Sequence, residues 1–273
     1  MEKIVKTAEE IKKLSYTDFV GWVNQWNVLP GSYCSLNKWR VFGDINSNSR
    51  ILEVACTTGF SSREISRMTR CSGTGIDISG PSVEAAIVNK TIYAPNANID
   101  YMQADGYEFN TDETFTHIIF GAALRFFPDP AKMLKHSLSF LGDKGYILST
   151  EFYTVKPIPE DLIKEAETVF GITPTTVSYK DVMKIYEGLN IFYEDKNVIE
   201  LETEDELKHY TDSTINRACK ELDIVDEDVR KIMYDRLYAI KDMSNRLRPY
   251  QNYNVLVMQY DKEIYPNRFV ELF

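Results

Sequence analysis

The chain is poor in the residues that build metal centres and disulfide frameworks. Its 273 residues include four cysteines and three histidines. Cys34, Cys56, Cys71 and Cys219 show no C-x-x-C spacing, and His117, His136 and His209 share no ligand spacing with them. No metal site and no disulfide scaffold are expected, and the cysteines read as reduced thiols of a cytoplasmic protein. Positive charge is also short: 31 Lys and Arg stand against 41 Asp and Glu, a net charge of −10. Such a chain repels phosphate backbones, so nucleic acid is not an expected partner. Lys132, Lys135, His136 and Lys144 are scattered rather than clustered. Long apolar runs are missing too. The opening stretch MEKIVKTAEEIKKL is charged throughout and lacks an apolar segment, so no signal peptide, membrane span or membrane partner is expected. There is no low-complexity tract and no fixed-period repeat. What remains is an ordinary globular composition, 44% hydrophobic and 26% charged. It suits one large domain or a domain with an inserted cap.

The stretch Arg50 to Ser79, RILEVACTTGFSSREISRMTRCSGTGIDIS, carries the most information. Ile51, Leu52, Val54 and Ala55 predict a short buried strand. Cys56, Thr57, Thr58 and Gly59 form a small-residue turn, and Phe60 to Met68 is helix-permissive. Gly73 to Ile78 predicts a second strand with Asp77 near its end. An acid there can accept from both hydroxyls of a ribose, while the turn lets a ligand approach backbone N–H groups. Asp77 follows Gly59 by 18 residues, close to the roughly 20 of a ribose-binding acid. The G-x-G-x-x-G fingerprint of a dinucleotide site is missing, and Glu53 would repel a pyrophosphate. The segment suits a nucleoside bearing positive charge. An ordinary βαβ unit with an incidental Asp is the structural alternative.

Along the rest of the chain, residues 8–28 predict a helix stopped at Pro30-Gly31, and 35–42 a second. Pro81 suits the first turn of another helix. Strands are predicted over 99–104, 115–120 and 145–150, with a helix over 130–141 stopped by Gly142. This alternation argues for a parallel sheet with helices on both faces, whose ligands bind at the strands' C-terminal edge. Gly59, Asp77, Asp105 and Gly121 follow four successive strands there, with Glu53 near the end of the first. Beyond residue 150, helices are predicted over 157–170, 177–188, 204–222 and 226–246, and strand structure over 190–202. The final run 252–261 is apolar on both faces and suits a strand inside the sheet. The two long helices before it read either as a cap over the site or as surface helices.

Glu53-Val54-Ala55-Cys56-Thr57-Thr58-Gly59 and Asp77 resemble motifs I and II of class I S-adenosylmethionine-dependent methyltransferases. Tyr101 to Gly106 is similar to the third motif, and His117 to Pro130 to the segment around the fourth strand. The resemblance covers about residues 50–150 and, more weakly, the last strand. It implies an α/β, Rossmann-like seven-stranded sheet with N-terminal helices and helical cap insertions. It also implies S-adenosylmethionine as cofactor and S-adenosylhomocysteine as product. The implied domains are an N-terminal helical lid over 1–45 and a methyltransferase domain over 46–273, with insertions around 155–190 and 203–248. The cofactor residues it implies are Glu53, Ala55, Thr57, Gly59, Asp77, Ile78, Asp105, Gly106 and Gly121. From the residues alone, Asp105 serves equally as a strand cap. Ala55 and Thr57 replace two glycines of the motif and disfavour the positive φ that glycine accepts. No Asn/Asp-Pro-Pro-Tyr/Phe follows the fourth strand, which argues against methylation of base or glutamine amines.

More narrowly, the aromatic N-terminus, the LEVACTTGFSSRE turn and the overall size resemble N-methyltransferases of plantazolicin-type antibiotic biosynthesis. These dimethylate the α-amine of an N-terminal arginine on a linear azole peptide. The resemblance implies a cationic acceptor, which an acidic protein steers. Phe19, Trp22, Tyr33 and Trp39 could stack on azole rings, and Asp161 could hold a guanidinium. Each has a structural reading: Trp22 and Trp39 as core, Asp161 as a helix N-terminal charge, Arg246 as its partner or a solvent-facing group. Tyr179 and Tyr186 are candidate wall groups. No catalytic base is assigned, because alignment of methyl group and lone pair is the main lever. A small-molecule O- or C-methyltransferase, or a nonenzymatic nucleoside binder, are the alternatives.

Overall fold

Short apolar runs separated by helices become the parallel half of one sheet. The computed structural model describes residues 6–267. Strands β1 (Arg50–Val54), β2 (Ser72–Asp77), β3 (Asn98–Gln103), β4 (Phe115–Gly121) and β5 (Leu141–Thr154) run parallel, and β7 (Gln251–Asp261) enters antiparallel between β5 and β6 (Asn190–Val198). The order is β3-β2-β1-β4-β5-β7-β6. The five strands of the alternating stretch are parallel, as expected, and the antiparallel β7 makes the sheet mixed. Val255 to Met258, fully buried, lie in an interior strand as their two-sided apolarity requires.

Among the described residues, ten α-helices accompany it: α1 (Ala8–Lys13), α2 (Tyr16–Trp22), α3 (Ser32–Phe42), α4 (Phe60–Thr69), α5 (Gly80–Tyr93), α6 (Pro130–Leu138), α7 (Glu160–Phe170), α8 (Tyr179–Met183), α9 (Glu204–Leu222) and α10 (Glu227–Leu247). One face of the sheet buries Leu52, Val54, Ile118, Phe120 and Ile147 against Met133 and Leu134 of α6 and against Tyr186. The other buries Ile51, Ile119 and Leu148 against Trp39 of α3 and Phe60 and Ile65 of α4.

Three boundaries differ from the sequence pattern. The single helix expected over 8–28 breaks at Leu14, where Ser15 caps α2 by accepting from the Asp18 amide. Helix α6 ends at Leu138, and Gly142 lies inside β5 instead of stopping a helix. The strand requires glycine further on, at Gly145, where a side chain would press on the Thr116 carbonyl at 2.8 Å; at Gly142 it would meet nothing nearer than 3.4 Å. The helix expected over 177–188 is α8 followed by a 3-10 turn over Lys184–Tyr186.

The N-terminal helices and the long α9–α10 pair share an apolar core. Ile11, Phe19, Trp22 and Val23 pack with Ile215, Met233, Leu237 and Ile240. Arg236 of α10 donates to the Leu14 carbonyl at 2.6 Å and lies 4.4 Å over the Phe19 ring. Helix α2 is seated on α5, where a Cβ on Gly21 would collide with the backbone of Pro81 and Ser82.

Candidate active site

The turn after β1 adopts a left-handed zigzag. Ala55 has φ +58°, Thr57 +46° and Gly59 +73°. Ala55 and Thr57 thus take up the glycine-type conformation despite their side chains. Only Gly59 is also sterically obliged: a Cβ there would lie 2.7 Å from the Tyr101 ring. The Tyr101 hydroxyl donates to the Gly59 carbonyl at 3.0 Å and lies 3.1 Å from Ser62 Oγ, closing the turn onto β3.

Asp77 braces the turn from the next strand. Its Oδ2 accepts from the Thr57 amide at 2.9 Å and its Oδ1 from the Ser79 amide at 2.9 Å. Burial raises its carboxyl above the usual range, the two amides pull it down, and Asp18 pushes it up. Asp18, on α2, accepts from the Ser79 hydroxyl at 2.7 Å, which brings the N-terminal helices to this edge. The segment after α2 is tied down as well. Thr58 Oγ1 donates to the Gln25 carbonyl at 3.0 Å, and Asn24 and Asn89 exchange amide hydrogen bonds of 2.9 and 3.0 Å.

Glu53 is buried, with Oε2 accepting from the Ser62 amide at 3.0 Å. Burial raises its carboxyl, while Ser62, Ser61 and Arg63 lower it. Gly121, at the end of β4, opens toward it: a Cβ there would sit 3.6 Å from Ser61 Oγ and 3.9 Å from Glu53 Oε1. Ile78 is 63% exposed at the end of β2. Asp105 Oδ1 accepts from the Tyr107 amide at 2.9 Å, the local capping role that the sequence left open. Gly106 packs under Met133 and Phe127.

This edge brings Glu53, Ala55, Thr57, Gly59, Asp77 and Gly121 together, with Ile78, Asp105 and Gly106 at the ends of β2 and β3. The expected acceptor residues do not gather. Phe19 and Trp39 are 0% exposed, and Trp22 is buried in the core shared with α10. Stacking by Phe19 and Trp39 is thus corrected to core packing, because Trp39 lies in the core under the sheet and Phe19 in the helical core, beneath Arg236. Tyr33 alone of the four is open, 49% exposed, with its hydroxyl donating to Glu64 Oε2 at 3.1 Å. Asp161 lies exposed in the first turn of α7. Arg246 grips Glu165 instead, with bonds of 2.5 and 2.7 Å.

Several residues escaped sequence reasoning. Arg63 is a buried cation inside the first turn of α4. Glu151 is a buried carboxylate on β5, taking the Tyr186 hydroxyl at 2.5 Å and the Ser149 hydroxyl at 2.9 Å. A lone charge in an amphipathic stretch gives no sign of which way it faces, so neither could have been found from spacing. Tyr179 donates to Glu194 Oε2 at 2.9 Å, with Lys196 over its ring. Among the described residues no group of His, Cys, Asp and Glu has a metal-binding arrangement, and no helix is long and apolar enough to cross a membrane.

The sheet order β3-β2-β1-β4-β5-β7-β6, with helices on both faces, is the class I methyltransferase architecture. Residues 51–145 match the family model described as a methyltransferase domain. Among solved structures, the MccD protein is 26% identical with a TM-score of 0.70, covering 86% of this chain and 100% of its own. YjhP from E. coli is 15% identical (TM-score 0.64, covering 88% of this chain and 98% of its own). A methyltransferase from Geobacter sulfurreducens in complex with S-adenosyl-L-homocysteine is 16% identical (TM-score 0.64, 88% and 96%). No curated protein matches the sequence significantly. Residues 51–145 are thus a methyltransferase domain, and the enzyme takes S-adenosylmethionine as its methyl donor.

Proposed function

We propose that this enzyme transfers methyl groups from S-adenosylmethionine to an amine, the α-amine of an N-terminal arginine on a linear azole peptide, twice in succession. The donor half rests chiefly on one observation: a left-handed turn at residues 55–59 braced by Asp77 through the Thr57 amide. In this reading Asp77 takes the ribose hydroxyls and Glu53 the donor's ammonium group. The backbone at Ala55, Thr57 and Gly59 lies along the ligand. Ile78 and Gly106 flank the adenine, and Asp105 accepts from its exocyclic amine. Gly121 leaves room for the reacting methyl group.

The acceptor half rests on the LEVACTTGFSSRE resemblance and on the net charge of −10, which steers a cationic peptide. An α-amine with a pKa of about 7.7–8.0 is partly neutral at neutral pH, so the enzyme's main task is to hold the lone pair in line with the donor's methyl group. Residues 1–45 act as a lid in this proposal, held to the donor edge by Asp18 and the Thr58 contacts. The burial of Phe19 and Trp39 withdraws two stacking surfaces and favours, as a second reading, a smaller acceptor methylated on oxygen or carbon.

The test is incubation with labelled donor and an arginine-initiated azole peptide, read by mass spectrometry. Addition of two methyl groups to the terminal amine is expected. No transfer to that peptide, with transfer to a small alcohol or carbon acid, would select the second reading.

A further inference from the structure

Glu151 is 1% exposed, and no ion pair among the described residues holds it. Both of its hydrogen bonds land on Oε1, from the Tyr186 hydroxyl at 2.5 Å and the Ser149 hydroxyl at 2.9 Å. No hydrogen bond among the described residues reaches Oε2. Arg125, in the turn after β4, acts on the carboxylate by charge alone, and its own Nε is buried without an acceptor.

The carboxylate stands at the sheet edge that carries the donor site, but outside that site. Thr150 is the last residue of β5 in register with β4, opposite Gly121. Glu151 follows it, past the end of β4, where the chain turns off at Ala122 with φ +64°. In the reading above the reacting methyl group lies at Gly121, and Glu151 is the first carboxylate beyond it on the neighbouring strand.

A charge here is costly. Burial pushes the carboxyl up to about 7, against the pull of Tyr186, Ser149 and Arg125. A glutamine would accept the same two bonds with no charge to desolvate. A protein that keeps a titrating group where a neutral isostere fits has a use for the proton. The strand directly opposite offers that proton a neighbour: Asn254 of β7 is 0% exposed, and its Oδ1 has no donor. Its amide donates to Glu194 Oε1 at 2.9 Å, and Glu194 also takes the Tyr179 hydroxyl. The charged and titratable groups around Glu151 are thus Arg125, Tyr186 and, through Asn254, Glu194 and Tyr179.

We propose that Glu151 is the catalytic base of the methyl transfer, its free Oε2 taking a proton from the acceptor's amine. This rests on the amine reading given above. The amine's lone pair forms the N–CH3 bond, the CH3–S bond breaks and leaves its pair on sulfur, and nitrogen carries the positive charge. One N–H proton then passes to Oε2, which restores the lone pair for the second transfer. The proton returns to water when the product leaves. Tyr186 is a positioning residue: its hydroxyl occupies Oε1 and leaves Oε2 for the amine.

The experiment is the pH dependence of kcat with the arginine-initiated azole peptide, with calorimetry of donor and product beside it. Wild-type kcat should rise through about pH 7. Glu151→Gln should lose that limb, fall on the order of a hundredfold, accumulate singly methylated peptide, and bind S-adenosylhomocysteine as the wild type does. Tyr186→Phe removes a bond to the carboxylate and should move the limb to higher pH. Unchanged turnover and dimethylation in Glu151→Gln, or a loss of S-adenosylhomocysteine affinity in step with kcat, overturns the base. If the wild type leaves the peptide unmethylated, the peptide reading falls and proton release decides Glu151 separately. At about pH 6.5 the sulfonium of S-adenosylmethionine should drive off more proton than neutral-sulfur S-adenosylhomocysteine does, measured in buffers of different ionisation heat. That difference should vanish in Glu151→Gln. Equal release by the two ligands in the wild type overturns the proposal.

Discussion

The backbone amide of Thr57 donates to Asp77 Oδ2 at 2.9 Å, although Thr57 sits at φ +46°. A β-branched residue in the left-handed region is strained, at a cost of about 1–2 kcal/mol. The surrounding structure holds it there because the amide must face the end of β2. Asp77 therefore shapes the turn before any ligand arrives.

Removing that brace should damage both stability and donor binding. In Asp77→Ala two amides, of Thr57 and Ser79, lose their acceptor. Stability should fall by about 1–3 kcal/mol, and S-adenosylhomocysteine affinity by at least tenfold. Thermal melts and calorimetry measure the two effects. Donor affinity unchanged in a folded Asp77→Ala variant would remove Asp77 from the site.

Strain in the turn predicts an unusual gain. Thr57→Gly and Ala55→Gly ordinarily cost unfolded-chain entropy, about 0.4–1 kcal/mol. Here each also relieves a left-handed side chain, so each should leave stability unchanged or raise it by up to about 1 kcal/mol. A fall of more than about 1 kcal/mol in denaturant midpoints, on the usual scale of a glycine substitution, would show that the side chains carry contacts worth more than the strain.

Two glycines at this edge should respond in opposite ways. Gly59→Ala places a methyl group 2.7 Å from the Tyr101 ring at φ +73°, so it should destabilise the fold by about 1–3 kcal/mol. Gly121→Ala meets nothing nearer than 3.6 Å and should melt like the wild type. Its methyl group instead fills space in front of Glu53, so donor affinity or turnover should drop. If Gly121→Ala neither binds nor turns over differently, the donor does not reach β4.

Glu151 gives stability a pH dependence. Burial pushes its carboxyl up to about 7 from an ordinary 4.5, against the hydrogen bonds of Tyr186 and Ser149 and the charge of Arg125. Between these values the native state keeps a proton that the unfolded chain releases. Stability should therefore be fully present below about pH 4.5, fall as pH rises to about 7, and change no further above it. The loss is on the order of 3 kcal/mol. Glu151→Gln keeps an acceptor for Tyr186 and removes the titration. Relative to wild type it should gain about that much at pH 8 and nothing at pH 4. Parallel pH–stability curves for the two proteins would contradict this.

Much of the frame was legible in the chain itself. Helix α9 runs over Glu204–Leu222 as its capping Thr203 and charge pattern require, and the interior run Val255 to Met258 marked its own burial. What failed was local punctuation. Gly142 looked like a helix stop because glycine disfavours helices, yet the helix had already ended at Leu138 and Gly142 falls in the following strand. The antiparallel entry of β7 left no trace in composition, since direction within a sheet is set by the connections.

By itself the sequence determined the strand-end chemistry: Glu53, Gly59, Asp77 and Gly121 each fall at the close of an apolar run, and the alternating pattern sends those closes to one edge. Only the tertiary structure decided orientation. Phe19 and Trp39 turned inward, Arg246 chose Glu165 over Asp161, and the ring of Trp26, 37 residues earlier in the chain, came under Arg63. Apolar periodicity is a one-dimensional signal and survives in the sequence. The facing of a single ring or charge depends on which distant helix packs against it, and that is settled only when the chain closes.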